Sequence, residues 1–368
     1  MMMGGLWGAE SCCSVLEKKS CNTSYVYEKL FKKQVRFKLG KIPIATEFPH
    51  LSTVCDTTNR FLKHVTCKQN GYVEPKVGVL ARYNVTMQDV IDTLEYMADL
   101  AEKSPDVLAD CSFIDEHFTL YRWYAPDDCY QTRFAPGHCS FPECIRVTHY
   151  NVAKMHAQYK KRGAYCFPLY PLPLDEKNKL PQHVRENKTK YKRFMYGLQA
   201  ILKGALENEK GFSEPLGWVT EKDYRNFLRQ GSGILVFPDG TKKRVEIAAH
   251  NGMKGDQSYW YSAVVPEVIA HGKRYHKKVR PLPGVSFAGD VENIGFGKLL
   301  CVVGINETTG KREAHLGVLM DTGTAFKNNP YHIDLFMGYF DHPLHFGAFS
   351  KKFPSSGEVF ILIKKKRN

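Results

Sequence analysis

The residue types that could do chemistry concentrate between Leu316 and Asp341. An apolar run of Leu316, Val318, Leu319 and Met320 leads into Asp321. Thr322-Gly323-Thr324 follows, a cluster that bonds its own backbone or accepts unusual dihedrals. A polar tip comes next, Lys327-Asn328-Asn329-Pro330, and a second strand-like run starts at Tyr331. It holds Asp334 between Ile333 and Leu335-Phe336. A carboxylate in such a stretch has two readings. It can cap a turn, the commoner role, which suits Asp321. Alternatively, apolar neighbours desolvate it, raise its pKa and leave it a proton to donate near neutral pH, which suits Asp334. Asp341 is a third, weaker candidate.

The elements that must position these acids are unevenly legible. Val359 to Ile363 reads as a buried closing strand, and Leu299 to Val303 as another. Ile294 to Phe296 also alternates like a strand, as do Phe118 to Tyr124, Val35 to Leu39 and Val77 to Leu80. Asp239-Gly240 marks a hairpin between Ile234–Phe237 and Arg244–Ile247. Thr86, with Asp89 three residues on, caps a helix whose Val90, Ile91, Leu94 and Met97 fall on one face. Thr220 with Asp223 caps another, a short helix is expected from Val107 to Phe113, and a longer one from Lys188 to Glu207. No repeat of fixed period is visible.

Two motifs carry a family resemblance. Asp321-Thr322-Gly323-Thr324-Ala325-Phe326-Lys327, followed by Asp334, Phe336 and Gly338, resembles the C-terminal motif of the membrane-bound lytic murein transglycosylase A family, MltA, with its three-Asp domain. Phe227-Leu228-Arg229-Gln230-Gly231-Ser232-Gly233 resembles a second motif of the same family. On composition alone this second run is a glycine-rich helix–strand turn. Thr148, Tyr150 and the proline-dense stretch Phe167 to Pro173 match more weakly, with His149 and Asn151 departing from the family pattern and Ala248 where the family has Tyr.

The resemblance covers about residues 147–363. It implies a mainly β fold with several helices: a double-psi β-barrel plus an inserted second β domain. The expected division is a Cys-rich segment and first barrel part over 1–146, the inserted substrate-binding domain over 147–270 and the rest of the barrel over 271–368. It also implies non-hydrolytic cleavage of the MurNAc-β-1,4-GlcNAc bond of peptidoglycan. Asp334 would serve as general acid and then base, with Asp321 in support. Gln230, Gly231, Ser232, Gly233, Thr148, Tyr150, Lys327 and Asp341 would line the substrate groove. Gly231 and Gly233 would let sugar approach backbone donors, and Gln230 and Ser232 would bond its hydroxyls. A hydrolase on the same scaffold and a non-catalytic, expansin-like wall binder stay open as alternatives.

The 368 residues are 43% hydrophobic and 24% charged, with Lys+Arg 52 against Asp+Glu 38 for a net +14. That excess favours a polyanion. With no zinc-finger or aromatic RNA-binding motif, a wall polymer ranks above nucleic acid. The basic stretch 262–282 is either a solvated loop or a glycan contact. No cofactor or metal is expected, and the chain is expected to act as a monomer. No apolar run is long enough to cross a bilayer. The resemblance implies an extracytoplasmic location, although no leader is recognisable in MMMGGLWGAESCC. Eleven cysteines, crowded before residue 167, suggest a cross-linked N-terminal half in an oxidising compartment. Sequons stand at Asn22, Asn84, Asn187 and Asn306.

Overall fold

The computed structural model describes residues 31–34, 44, 50–66, 76–109, 111–124, 144–179, 181–207, 209–266, 279–327 and 329–366. A short strand β1 (Phe31–Gln34) precedes three helices, α1 (Leu51–Thr66), α2 (Met87–Lys103) and α3 (Cys111–His117), and strand β2 (Phe118–Trp123). Helix α1 buries Leu51, Val54, Cys55, Thr58, Phe61, Leu62 and Val65, a stripe at helical spacing. Helix α2 begins in a reciprocal capping box. Thr86 Oγ1 accepts from Asp89 N at 3.2 Å, and Asp89 Oδ2 accepts from Thr86 N at 2.8 Å.

Strand β3 (Ile145–His156) is the longest strand and belongs to two sheets. After it come β4 (Phe167–Pro168), α4 (Pro181–Glu186), α5 (Leu198–Leu202), β5 (Trp218–Val219), α6 (Glu221–Gln230), β6 (Ser232–Val236), β7 (Lys242–His250) and β8 (Trp260–Val264). The chain then returns through β9 (Ser286–Ala288), α7 (Val291–Ile294), β10 (Lys298–Ile305), β11 (Arg312–Asp321), β12 (His332–Tyr339), α8 (Pro343–Ser350) and β13 (Ser356–Lys364).

Strands β13, β10, β11, β9, β12 and β3 are hydrogen-bonded in that order, and β3 pairs back to β13 through Ile145↔Gly357 and Arg146↔Ser356. The circuit is closed, so its strands expose no free edge along these pairings. Its core holds Val147, Phe287, Leu300, Val302, Leu316, Val318, Ile333, Leu335 and Ile361, and the stripes of α1 and α2 pack against it. The sheet-dominated fold with several helices matches the expectation from sequence. Gly317 sits where strands crowd: a Cβ there would lie 2.6 Å from the Val285 carbonyl oxygen and 2.7 Å from the Phe287 ring.

The second half of β3 leaves the barrel. Ala153 to His156 pair in parallel with Gly233 to Val236 of β6, which continues antiparallel into β7 and β8. A separate core of Met155, Leu169, Tyr170, Phe227, Leu235, Tyr259 and Tyr261 covers this sheet. Asn251 anchors its far end with four bonds, donating to the Tyr196 and Gln257 carbonyls and accepting from the Met253 and Tyr259 amides.

Several local expectations fail for visible reasons. Residues 188–207 form two single 3-10 turns and the short α5, not one helix. Gly197 precedes α5 and Gly204, at φ +92°, follows it. Gly78–Tyr83 is a 3-10 helix rather than a strand, entered at Gly78 with φ +73°. Val291–Ile294 is a helical turn, and Gly295 and Gly297 with positive φ lead from it into β10. Residues 107–113 divide between a 3-10 turn and α3. Cys55 and Cys301 are buried free thiols, not cross-links, and burial pushes both pKa values up. Asn306 is buried and its Oδ1 accepts from the Thr308 and Thr309 amides, so this sequon builds a turn. Residues 35–39, most of the basic stretch 262–282, and Cys12, Cys13, Cys21, Cys67, Cys129 and Cys139 lie outside the described residues.

Crowding at Gly317 yields a direct test. Gly317→Ala should destabilise the protein by about 1–3 kcal/mol through overpacking against β9, read as a lower denaturation midpoint in urea.

Candidate active site

The site grows from one face of two neighbouring strands. β3 and β12 run parallel in the register His332↔Arg146, Asp334↔Thr148 and Phe336↔Tyr150. Side chains alternate along a strand, so Arg146, Thr148 and Tyr150 share a face with His332, Asp334 and Phe336. Val147, Ile333 and Leu335 point the other way, into the barrel core. The site face is turned toward the second sheet. Phe336, Val152 and Ile234 of β6 are buried against one another, with Tyr150 and Tyr339 packed beside them.

Asp334 is neighboured on its second side by Ala288 of β9, its antiparallel partner. The residue as a whole keeps some exposure, but its Oδ1 is buried with no hydrogen-bond partner in the protein. Burial lifts its pKa to about 7; a hydrogen bond from Thr148 and the charge of Arg146 oppose the rise, and the charge of Asp321 adds to it. A carboxyl so placed is partly protonated at neutral pH and has an oxygen uncommitted to the protein.

Asp321 ends β11 and is 2% exposed. Its Oδ2 accepts from Tyr150 Oη at 2.8 Å and its Oδ1 from the Thr322 amide at 2.8 Å. Burial and the Asp321 charge hold the Tyr150 phenol well above its ordinary pKa, so it stays a donor. The two acids differ in their partners: Asp321 is held at a turn by two donors, whereas Asp334 keeps one unpartnered oxygen. Asp341 differs from both. It is exposed, accepts from Tyr339 Oη at 2.6 Å and pairs with Lys154 at 3.4 Å. The Tyr339 bond, then Lys154, hold its carboxyl below the usual range, which suits a fixed charge better than an acid.

The remaining expected residues divide. Thr148 is the register partner of Asp334 across the β3–β12 pair. Gln230, at the end of α6, accepts from the Asn151 amide at 2.9 Å and so ties the second sheet to β3 beside the site. Gly231 has φ +80° and its amide donates to the Phe227 carbonyl at 2.8 Å, closing the helix. That amide is thus committed within the chain. Ser232 is buried, and a Cβ on Gly233 would lie 2.5 Å from Met155 Cε. The glycines of this motif serve a helix end and close strand approach. Lys327 is exposed beyond the turn after Asp321.

Sequence reasoning missed His332. Its Nε2 lies 2.5 Å from Thr148 Oγ1, and burial, then Arg146, lower its pKa to about 4. The signal was present, since His332 precedes Asp334 by one strand period. His149, on the opposite face of β3, instead packs against Phe353. Among the described residues no cluster of His, Cys, Asp and Glu could hold a metal ion, and no helix is long and apolar enough to cross a membrane. A recess of about 890 Å³ lies elsewhere, between α1 and α2. Its carboxylates Asp56, Glu95 and Asp99 pair with Arg60, Lys63 and Lys103, as a solvated helix face does.

Residues 146–280 match the family described as the MltA specific insert domain. The fold is similar to that of a membrane-bound lytic murein transglycosylase from Agrobacterium tumefaciens, at 18% identity and TM-score 0.55, covering 88% of this chain and 97% of that one. It is similar to E. coli MltA with bound chitohexaose at 14% identity and TM-score 0.57, covering 91% and 95%. MltA from Neisseria gonorrhoeae aligns at 15% identity and TM-score 0.51, over 87% and 88%. No curated protein matches the chain by sequence.

Desolvation of Asp334 has a thermodynamic consequence. Its folded pKa of about 7 exceeds an unfolded value of about 3.9. The group's stabilising contribution is thus full below about pH 4 and is lost as pH rises through about 7. Asp334→Asn should match wild type at pH 4 and exceed its stability at pH 8 by about 1–4 kcal/mol, measured by urea denaturation. Equal stability at both pH values would contradict the buried acid.

Proposed function

With the fold of the MltA proteins and their specific insert domain, the chain is, we propose, a peptidoglycan lytic transglycosylase. The observation that carries the reading is Asp334: a desolvated carboxyl with a partnerless Oδ1, beside a second carboxylate held by Tyr150 and Thr322. In this reading residues 147–270 bind substrate, and 1–146 with 271–368 supply the barrel and its acids. Thr148, Tyr150, Gln230, Lys327 and Asp341 border the glycan path. The enzyme acts as a single chain in the cell envelope or outside the cell.

The chemistry uses one proton twice. The protonated Asp334 carboxyl protonates the oxygen of the MurNAc-β-1,4-GlcNAc bond as the C1–O bond breaks. GlcNAc leaves with its 4-hydroxyl restored. The Asp334 carboxylate then removes the proton of the C6 hydroxyl of the same MurNAc, and O6 bonds to C1. The product is a 1,6-anhydro end, and Asp334 is protonated again. Because the nucleophile is part of the substrate, proximity replaces a second activating acid. Asp321 contributes its charge, which raises the Asp334 pKa toward the working pH. The positive net charge of the chain favours approach to an anionic wall polymer.

Purified protein incubated with murein should release anhydro-ended muropeptides, identified by mass. Reducing ends would mean a hydrolase, and tight binding without release a wall binder. Asp334→Asn should lower release by about 10²–10⁴-fold while leaving murein binding intact. Asp321→Asn removes a like charge, so the alkaline limb of the rate profile should move to lower pH. An unmoved limb would remove Asp321 from the acid's electrostatics.

A further inference from the structure

We propose that the open face of the second sheet is a subsite for the peptide stem that MurNAc carries: Lys154, Lys242 and Arg244 bind the stem's carboxylates, and Ile234 and Val236 bind its alanine methyl groups. The inference rests on the reading of the chain as a murein-cleaving enzyme. It adds that peptide-bearing strands are taken in preference to bare glycan.

The argument is one of strand faces. Side chains alternate along β3, so Lys154 and His156 share the face of Thr148 and Tyr150. Register carries that face across the sheet. Lys154 lies beside Ile234 and then Arg244, and His156 beside Val236 and then Lys242. The other face, with Met155, Leu235 and Val245, is packed into the core of this sheet. On the open face His156, Lys242 and Arg244 are exposed, and Val236 is half-buried. Two strand spacings separate Lys154 from Arg244, about 10 Å. The result is an aliphatic floor one strand wide, with Lys154 on one side and Lys242 and Arg244 on the other. It continues the strand that carries Thr148 beside Asp334.

Chemistry selects the occupant. Lysine and arginine on an open face attract anions. This rim already seats one, the exposed Asp341 carboxylate, 3.4 Å from Lys154 and within the field of Lys242. Arg244 Nη1 donates to the Pro266 carbonyl at 2.7 Å, which lowers the side-chain freedom lost when a ligand binds. The one acid of β7, Glu246, sits beside Ser232, toward the barrel end of the row. A phosphate polymer would use the cations and leave the aliphatic floor unfilled. A stem peptide offers both carboxylates and methyl groups. Reach also fits. Six residues of β3 carry the face from Thr148 to Lys154, about 20 Å. An extended stem of about five residues spans about 17 Å, and a lysine side chain completes the distance.

The test pairs a binding titration with turnover. In the full chain with labelled Ile and Val methyl groups, a synthetic stem peptide with free carboxylates should shift the Ile234 and Val236 resonances, less so as salt is raised. Its fully amidated counterpart should not. No shift, or equal shifts from both peptides, would overturn the proposal, whether or not the protein cleaves murein. Shifts with a glycerol-phosphate oligomer and none with the peptide would overturn it in favour of a phosphate polymer. In turnover, Lys242→Gln combined with Arg244→Gln should raise KM for peptide-bearing strands by about 3–10-fold. The same variant should leave kcat unchanged, and also KM for strands stripped of their stems by an amidase. An equal rise on both substrates would make these side chains general glycan contacts and contradict the stem assignment. Wild-type protein with no turnover on either substrate would remove the function, while the peptide titration still decides the subsite.

Discussion

The removal of water from one carboxyl oxygen is the constraint on which the site depends. Asp334 stands on a strand whose other face is barrel core, so Ile333 and Leu335 hold its backbone in place while the side chain faces away from that core. Its neighbours on that face are Thr148 and Ala288, a small hydroxyl and a methyl. Neither satisfies Oδ1. A buried, unpartnered acid costs stability, and closure of the barrel around β3, β12 and β13 supplies the rigidity that tolerates it. The second acid is treated oppositely: Asp321 receives both a phenol and an amide. Two chemically identical side chains thus sit in different settings, one with both oxygens bonded and one with an unpartnered oxygen.

Strand β3 links this chemistry to the rest of the molecule. Its first half carries Thr148 and Tyr150 in the barrel, and its second half opens the second sheet beside β6. Gln230 bonds the Asn151 amide at the point of transition. The small cluster of Val152, Ile234 and Phe336 fills the space next to the acids and joins both sheets. A displacement of the second sheet would therefore be felt at Asp334 through one continuous strand and one hydrophobic contact set.

Much of this was legible in sequence because the informative signals were local. Apolar flanks around Asp334, a turn at Asp321, the Thr86 and Thr220 caps and the Asp239-Gly240 hairpin each need only a few adjacent residues, and each appears in the fold. What was illegible depended on distant partners. Nothing near Gly233 in sequence shows that Met155 and Ala153 of β3 fill the space a side chain would need. Helix α1 was not read from its sequence, although its stripe is regular, because Thr, Asp and Asn dilute the apolar positions. The His332–Thr148 contact becomes visible only when the parallel pairing sets β12 against β3.

The central claim concerns the proton on Asp334, and it can be observed without substrate. Carboxyl ¹³C NMR of aspartate-labelled protein, with the resonance assigned by Asp334→Asn, follows that group directly through a pH titration. A midpoint near 7, about three units above an ordinary aspartate, is the expected result. A midpoint near 4 would show the carboxyl to be solvated and charged at neutral pH, and no general acid would remain at this site.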